Sequence, residues 1–262
     1  MNLENITKQV CQLATETGQF LKNEIRQLKA SDIETKSSNN FVTYVDKKSE
    51  EMIIEKLSQI IPGSGFIAEE NPDLLTSEYT WIIDPLDGTT NFIHGIPLYS
   101  ISIGLMREKE MIAGVIYEPN LDEIFYTWKD APSFLNNKVI HVSKTQTLAD
   151  SLFATGFPYY DYGRLDPYLN FFKYMMKNSH GIRRLGSAAA DLAYVACGRY
   201  DGFYEYGLSP WDVAAGSIIV KNAGGIVSDF KGTGDSVFGR EIIAVNNNVY
   251  VEFLEAFQKN FV

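Results

Sequence analysis

The stretch Trp81-Ile82-Ile83-Asp84-Pro85-Leu86-Asp87-Gly88-Thr89-Thr90-Asn91 constrains this chain more than any other. Its first three residues are apolar and read as a buried strand, which carries Asp84 and Asp87 to its carboxyl end. Pro85 and Gly88 shape a tight loop, and Thr89-Thr90-Asn91 read as a helix start. Backbone N–H groups at a helix start lack intrahelical partners and attract anions. Two carboxylates therefore stand beside a place for a phosphate group. A D-G turn with an aspartate cap explains Asp87-Gly88 alone, but not the whole stretch.

The rest of the chain shows mixed helix and strand signals, with no repeat, low-complexity tract or linker. Residues 3–28 carry apolar side chains every three to four positions, which predicts a long amphipathic helix. Residues 32–41 are polar and aperiodic and are expected to form a loop. A second helix is expected over 46–61, capped by Asp46 and stopped by Pro62-Gly63. Residues 99–106 alternate, and 112–117 with 123–128 flank Pro119-Asn120 as a hairpin. Residues 153–155 and 242–245 predict strands, and 188–196, 210–222 and 252–257 predict helices. The expected fold class is mixed α/β (α+β). Two lobes, 1–140 and 141–262, are expected to form one structural unit.

A chain of 262 residues buries roughly 70–75% of its unfolded surface and needs no staples. Its 45% hydrophobic and 21% charged residues are ordinary for a globular protein. The net charge of −10 argues against direct nucleic-acid binding, which needs clustered Lys and Arg. An acidic protein that handles a phosphate ester faces repulsion, which metal ions relieve. Cys11 and Cys197 lie in apolar, helix-like stretches and are expected to be free, buried thiols, not a disulfide framework or a zinc site. The start Met1-Asn2-Leu3-Glu4-Asn5 lacks signal-peptide character and no run of 18 apolar residues exists. A cytoplasmic location with no membrane contact is expected.

Two further segments matter. Ala68-Glu69-Glu70, taken alone, reads as solvated surface charge. Ser209-Pro210-Trp211-Asp212, taken alone, reads as a good helix start, with Ser209 as N-cap, Pro210 at N1 and Asp212 at N3. Together with the first stretch they change meaning. Glu69, Asp84, Asp87 and Asp212 would place four negative charges in one cleft, with no His or Cys among them. Hard oxygen ligands select Mg²⁺, Ca²⁺ or Mn²⁺ over zinc. Two Mg²⁺ ions would neutralise the cluster, activate a water and support a leaving oxygen.

The Glu-Glu pair, D-P-x-D-G-T-T-N-F and W-D-x-A-A-G occur in that order. Phe41-Val42-Thr43-Tyr44-Val45-Asp46, Thr155-Gly156-Phe157-Pro158 and Arg184-Leu185-Gly186-Ser187-Ala188-Ala189 accompany them. On these motifs the chain resembles the inositol monophosphatase family over most of its length. The resemblance implies a layered αβαβα sandwich of the sugar-phosphatase type, usually a homodimer. It implies one Mg²⁺ on Glu69, Asp84 and the Leu86 carbonyl, a second on Asp84, Asp87 and Asp212, and in some members a third near Glu69. Most metal ligands then fall in the first lobe and the W-D element in the second. Glu69, and Thr89 paired with Asp46, would orient and deprotonate the attacking water. The N–H groups of Gly88 and Thr89 would hold the phosphate. Glu205, on an expected loop, would bond substrate hydroxyls, Ser187 and Ala188 would line the pocket, and Lys36 would lie in a segment covering the metals.

Two departures from the family pattern, Asn40 in place of Asp and the small Gly95 after His94, fall outside the expected metal ligands and concern the pocket rim. His94 is expected to be structural. Phe157, Tyr159, Tyr160 and Tyr162 are expected in the core or at a subunit interface.

The function implied is Mg²⁺-dependent hydrolysis of a small phosphomonoester, inositol monophosphate or a related polyol or sugar phosphate. Fructose 1,6-bisphosphate, the 2′-phosphate of NADP and 3′-phosphoadenosine 5′-phosphate fit the same motif. Some bacterial relatives act instead as partners of transcription or ribosome machinery.

Overall fold

Two large β-sheets, with helices between and around them, make up most of the computed structural model, which describes residues 1–25, 27, 33–37, 40–71, 77–158, 161–233 and 236–262. The side chains of 35–41 lie outside that description.

The first helix, α1 (Leu3–Glu24), buries Ile6, Val10, Leu13, Ala14, Thr17 and Leu21 along one stripe. Asn2 caps it, its side chain accepting the Asn5 N–H at 3.0 Å. It ends four residues short of the expected 28. The expected loop at 32–41 is instead an antiparallel pair, β1 (Ile33–Ser37) and β2 (Asn40–Thr43). The polar composition of 32–41 hid these strands because it offers no apolar alternation to read. The helix α2 (Tyr44–Ile60) starts at Thr43, not at Asp46. Thr43 Oγ1 accepts the Val45 N–H at 3.1 Å, and Asp46 Oδ2 accepts the Thr43 N–H at 2.8 Å. Asp46 is thus the N3 partner of a capping box.

A seven-stranded sheet follows: β3 (Gly65–Ala68), β4 (Tyr79–Asp87), β5 (Ser100–Arg107), β6 (Glu110–Glu118), β7 (Glu123–Trp128), β8 (Ser133–Leu135) and β9 (Lys138–Ile140), in that spatial order. Only β3 and β4 run parallel. The short helix α3 (Thr89–Ile93) lies between β4 and β5. The hairpin expected around Pro119 is present as β6 and β7, with Glu118 opposite Glu123.

The second sheet has five strands, in the order β11 (Gly181–Arg183), β10 (Leu152–Thr155), β12 (Gly202–Tyr206), β14 (Glu241–Val245) and β13 (Ile226–Ser228). Around it run α4 (Leu165–Asn178), α5 (Ala188–Ala196), α6 (Pro210–Asn222) and α7 (Tyr250–Asn260). Most of α4 is a helix where the sequence predicted none.

Three apolar clusters define the layers. Val10, Leu13, Ile53 and Leu57 of α1 and α2 pack on Trp81, Ile83, Ile101 and Val115. The opposite face of that sheet meets α5 and α6, where Leu192, Val213 and Ile219 pack with Ile116 and Phe125 and also with Phe203 and Ile242 of the second sheet. Phe171 of α4 and Phe253 and Phe257 of α7 cover the outer face, on Phe153, Tyr204 and Ile243. The result is an αβαβα sandwich. Because both faces of the seven-stranded sheet are covered, β5 is buried from Ser100 to Met106.

Candidate active site

The site begins with a fault in a strand. The β4–β5 ladder breaks between Asp84 and Asp87. Pro85 has no N–H to give to a ladder, and a bulge is where a central strand tolerates it. Asp84 Oδ1 accepts the Leu86 N–H across the bulge at 3.0 Å. Gly88 then turns the chain with φ +98, a left-handed conformation that costs other residues energy, and α3 starts there as the sequence predicts.

From the other side comes the first turn of α6. Asp212 Oδ2 accepts the Ser209 N–H at 2.6 Å, completing the predicted helix start. Ser102 Oγ of β5 donates to the Trp211 carbonyl at 3.1 Å and ties that turn to the first sheet. Carboxylate oxygens of Asp84, Asp87 and Asp212 consequently lie within 4.8 Å of one another. Asp84 is buried, and Asp87 and Asp212 are half-buried.

Glu69 stands outside that triad but on the same cleft. Its N–H donates to the Ile83 carbonyl at 3.2 Å. The buried Glu50 of α2 holds the following turn, accepting the Glu70 N–H at 2.8 Å and the Asn71 amide at 2.5 Å.

Charge is unbalanced here. Burial pushes Asp84 well above the usual carboxylate range, and the charges of Glu69, Asp87 and Asp212 push it further. Burial pushes Asp87 up to about 6, against the Ser187 hydroxyl and the Ala189 N–H, each donating at 2.7 Å, and against Arg184. Burial and then Asp87 raise Asp212 as well. An all-oxygen set of converging carboxylates fits a hard divalent cation such as Mg²⁺.

Asp46 and Thr89 meet beside the bulge. Thr89 Oγ1 lies 3.1 Å from Asp46 Oδ1 and 3.0 Å from the Leu86 carbonyl. Burial raises Asp46, and its hydrogen bonds from Thr43 and Thr89 oppose that rise.

Glu205 is not on a loop. It sits in β12 opposite Ile242, is 8% exposed, and burial pushes it up to about 8. Its aromatic neighbours Phe203, Tyr204 and Tyr206 have no alternation because both faces of the strand are buried. Ser187 caps α5, accepting the Ala190 N–H at 3.2 Å.

Glu69, Asp87, Ser187, Ala188, Glu205 and Asp212 all line one open cleft of about 200 Å³. Asp46, Asp84, Leu86, Gly88 and Thr89 are not on its lining. Lys36 falls in β1, but its side chain lies outside the described part of the structure. His94 is exposed at the end of α3. Phe157 and Tyr162 are exposed rather than in the core, and Tyr159 and Tyr160 lie outside the described residues. Arg184, Gly156 and Asp191 also line the cleft and were not singled out as site residues from sequence. The signal for Asp191 was a lone charge in Ala188-Ala189-Ala190-Asp191-Leu192-Ala193.

Comparison with known proteins points to one family. A model of the Inositol monophosphatase family matches residues 2–260. An "Inositol-1-monophosphatase" of Mesorhizobium japonicum is 40% identical over 250 residues, 95% of this chain and 94% of that protein. A "Nus factor SuhB" of Pseudomonas aeruginosa is 38% identical, covering 94% and 93%. The crystal structure of the extragenic suppressor protein suhB from Bartonella henselae superposes with a TM-score of 0.91 at 38% identity, covering 99% of both chains.

Proposed function

The chain belongs to the inositol monophosphatase family, and from that premise we propose that it hydrolyses a small phosphomonoester in a Mg²⁺-dependent reaction, with a polyol monophosphate such as inositol monophosphate as substrate. The observation that carries the reading is the convergence of Asp84, Asp87 and Asp212 within 4.8 Å.

In this reading one Mg²⁺ would be held by Glu69, Asp84 and the Leu86 carbonyl, and a second by Asp84, Asp87 and Asp212; some family members add a third near Glu69, so two or three ions are proposed. Bound there, such cations would neutralise the carboxylates, lower the pKa of a water and support the leaving oxygen. The protein does the rest. Thr89 donates to Asp46 and keeps its lone pairs for the attacking water, while Glu69 takes a proton from it. The N–H groups of Gly88 and Thr89, at the start of α3, bind phosphate oxygens. Ser187 fixes Asp87, Ala188 forms the adjoining wall, and Glu205 accepts a hydroxyl of the alcohol. Lys36 belongs to a segment that covers the site.

The reading treats 1–140 and 141–262 as lobes of one unit, supported by the packing of α5 and α6 against both sheets. It includes a cytoplasmic homodimer, on family resemblance. Among the described residues no helix is long and apolar enough to cross a membrane.

The relative named Nus factor SuhB supports a second reading, in which the protein serves as a partner of transcription machinery. The net charge of −10 disfavours direct nucleic-acid contact in that role. A phosphate-release screen with Mg²⁺ separates the two. It compares inositol 1-phosphate, fructose 1,6-bisphosphate, NADP and 3′-phosphoadenosine 5′-phosphate. The proposal expects the highest kcat/KM on inositol 1-phosphate. Release from none of them contradicts it and favours the second reading.

A further inference from the structure

Across the β4–β5 ladder, Asp87 stands directly opposite Ser100, the first residue of β5. Ser100 is fully buried and does not line the cleft. Its Oγ lies 2.9 Å from Oγ of Ser187, the N-cap of α5. The scheme proposed above gives this contact no task.

The hydrogens of the contact have one consistent assignment. An ionised carboxylate only accepts, so the Ser187 hydroxyl donates its one hydrogen to Asp87 Oδ2, at 2.7 Å. Ser187 Oγ accepts the Ala190 N–H at 3.2 Å with one lone pair. Its other lone pair is left for Ser100, whose hydroxyl is then the donor. A directed chain thus runs from Ser100 through Ser187 to Asp87. The Ala189 N–H also goes to Oδ2, so Oδ1 of Asp87 receives no donor among the described residues and stays open to a cation. Ser102, next on the same face of β5, stands opposite Asp84 and donates to the Trp211 carbonyl at 3.1 Å. Two neighbouring hydroxyls of the first sheet therefore hold the starts of both helices, α5 and α6, that meet the carboxylates.

We propose that Ser100 is a positioning residue: through Ser187 it fixes the rotation of the Asp87 carboxylate, so that Oδ1 faces Asp84 and Asp212 and the site is preformed for a divalent cation. A ligand held in place by its own partners spares the cation the cost of ordering it. This rests on the metal-dependent reading of the site.

The test titrates metal-free protein with Mn²⁺, a cation suited to oxygen ligands, and follows the free ion by electron paramagnetic resonance, so that no turnover is involved. Wild type is compared with S100A, S187A, the double variant and S133A. Ser133 is buried in β8 and donates to the Ile219 carbonyl at 2.6 Å, a similar tie to α6 away from the carboxylates. S100A is expected to weaken Mn²⁺ binding roughly fivefold, the size of one neutral hydrogen bond. S187A weakens it at least as much, and in the S187A background S100A adds less than about twofold. S133A lowers the metal-free melting temperature as S100A does, by about 2–4 °C, yet leaves the affinity within about twofold of wild type. Unchanged affinity in S100A overturns the inference, as do losses that add in the double variant or an equal loss in S133A. A wild type that binds no Mn²⁺ contradicts the metal-dependent reading and this inference together. A wild type that binds it no better than S100A does contradicts this inference alone.

Discussion

A methyl group on Gly156 would lie 1.9 Å from Oε1 of Glu205. No real contact is that short, and Glu205 sits inside β12, where its backbone has little room to retreat. Gly156→Ala should therefore turn the Glu205 carboxylate out of its place in the cleft. KM for inositol 1-phosphate is expected to rise roughly tenfold, the size of one lost charged hydrogen bond. The Mg²⁺ concentration for half-maximal rate should stay near the wild-type value. Steady-state kinetics at several Mg²⁺ concentrations check both.

Thr89 and Asp46 divide their work between two oxygens. Oδ2 of Asp46 serves the α2 cap and Oδ1 faces Thr89, so removing the Thr89 hydroxyl leaves the cap in place. Thr89→Ala should lower kcat by about 10², the low end for a positioned proton-transfer group, while Thr89→Ser recovers most of it. Thermal melts of both variants should match wild type.

Asp212 is both a capping-box residue and a member of the carboxylate triad. If capping were its whole role, Asp212→Asn would cost about 0.3–1 kcal/mol and leave activity intact. The triad role predicts a fall in kcat of roughly 10². It also predicts a metal-free melting temperature that holds or rises, because one charge leaves a like-charged cluster. Melts with and without Mg²⁺, beside phosphate-release rates, decide between the roles.

Asp87 gives a pH dependence with a definite sign. Its folded-state pKa, about 6, lies above the ordinary carboxylate value near 4, so the metal-free fold binds this proton more tightly than the unfolded chain does. Its destabilising contribution is full above about pH 6 and fades as the pH falls toward about 4. Metal binding needs the carboxylate ionised. The Mg²⁺ needed for half-maximal rate should therefore rise below about pH 6, approaching tenfold per pH unit for one competing proton. Mg²⁺ titrations from pH 5 to 8 measure it.

The carboxylate cluster of Asp84, Asp87 and Asp212 was legible in sequence because its residues come with their own local structure. Asp84 and Asp87 flank a proline in an apolar strand, and Asp212 follows Ser209-Pro210 at a helix start. Long periodic helices such as α1 and α6 were equally visible. Glu205 was misread because a carboxylate among Tyr204, Tyr206 and glycines looks like a turn, and only burial by α4, α7 and the neighbouring strands makes it a strand residue. Residues 165–178 were missed although Tyr168, Phe171 and Met175 form a helical stripe, since Pro167 and the aromatic crowding masked the period. The β1–β2 pair has too few apolar residues to announce itself. Ser100 needed the structure, because what marks it is its place opposite Asp87 and its contact with Ser187.

The account stands on the carboxylates acting through Mg²⁺. Phosphate release from myo-inositol 1-phosphate, followed from excess chelator to saturating Mg²⁺, tests this most directly. The account predicts a rate near zero in chelator that rises with added Mg²⁺ and returns after chelated enzyme is resupplied. A rate that persists unchanged in excess chelator would contradict it.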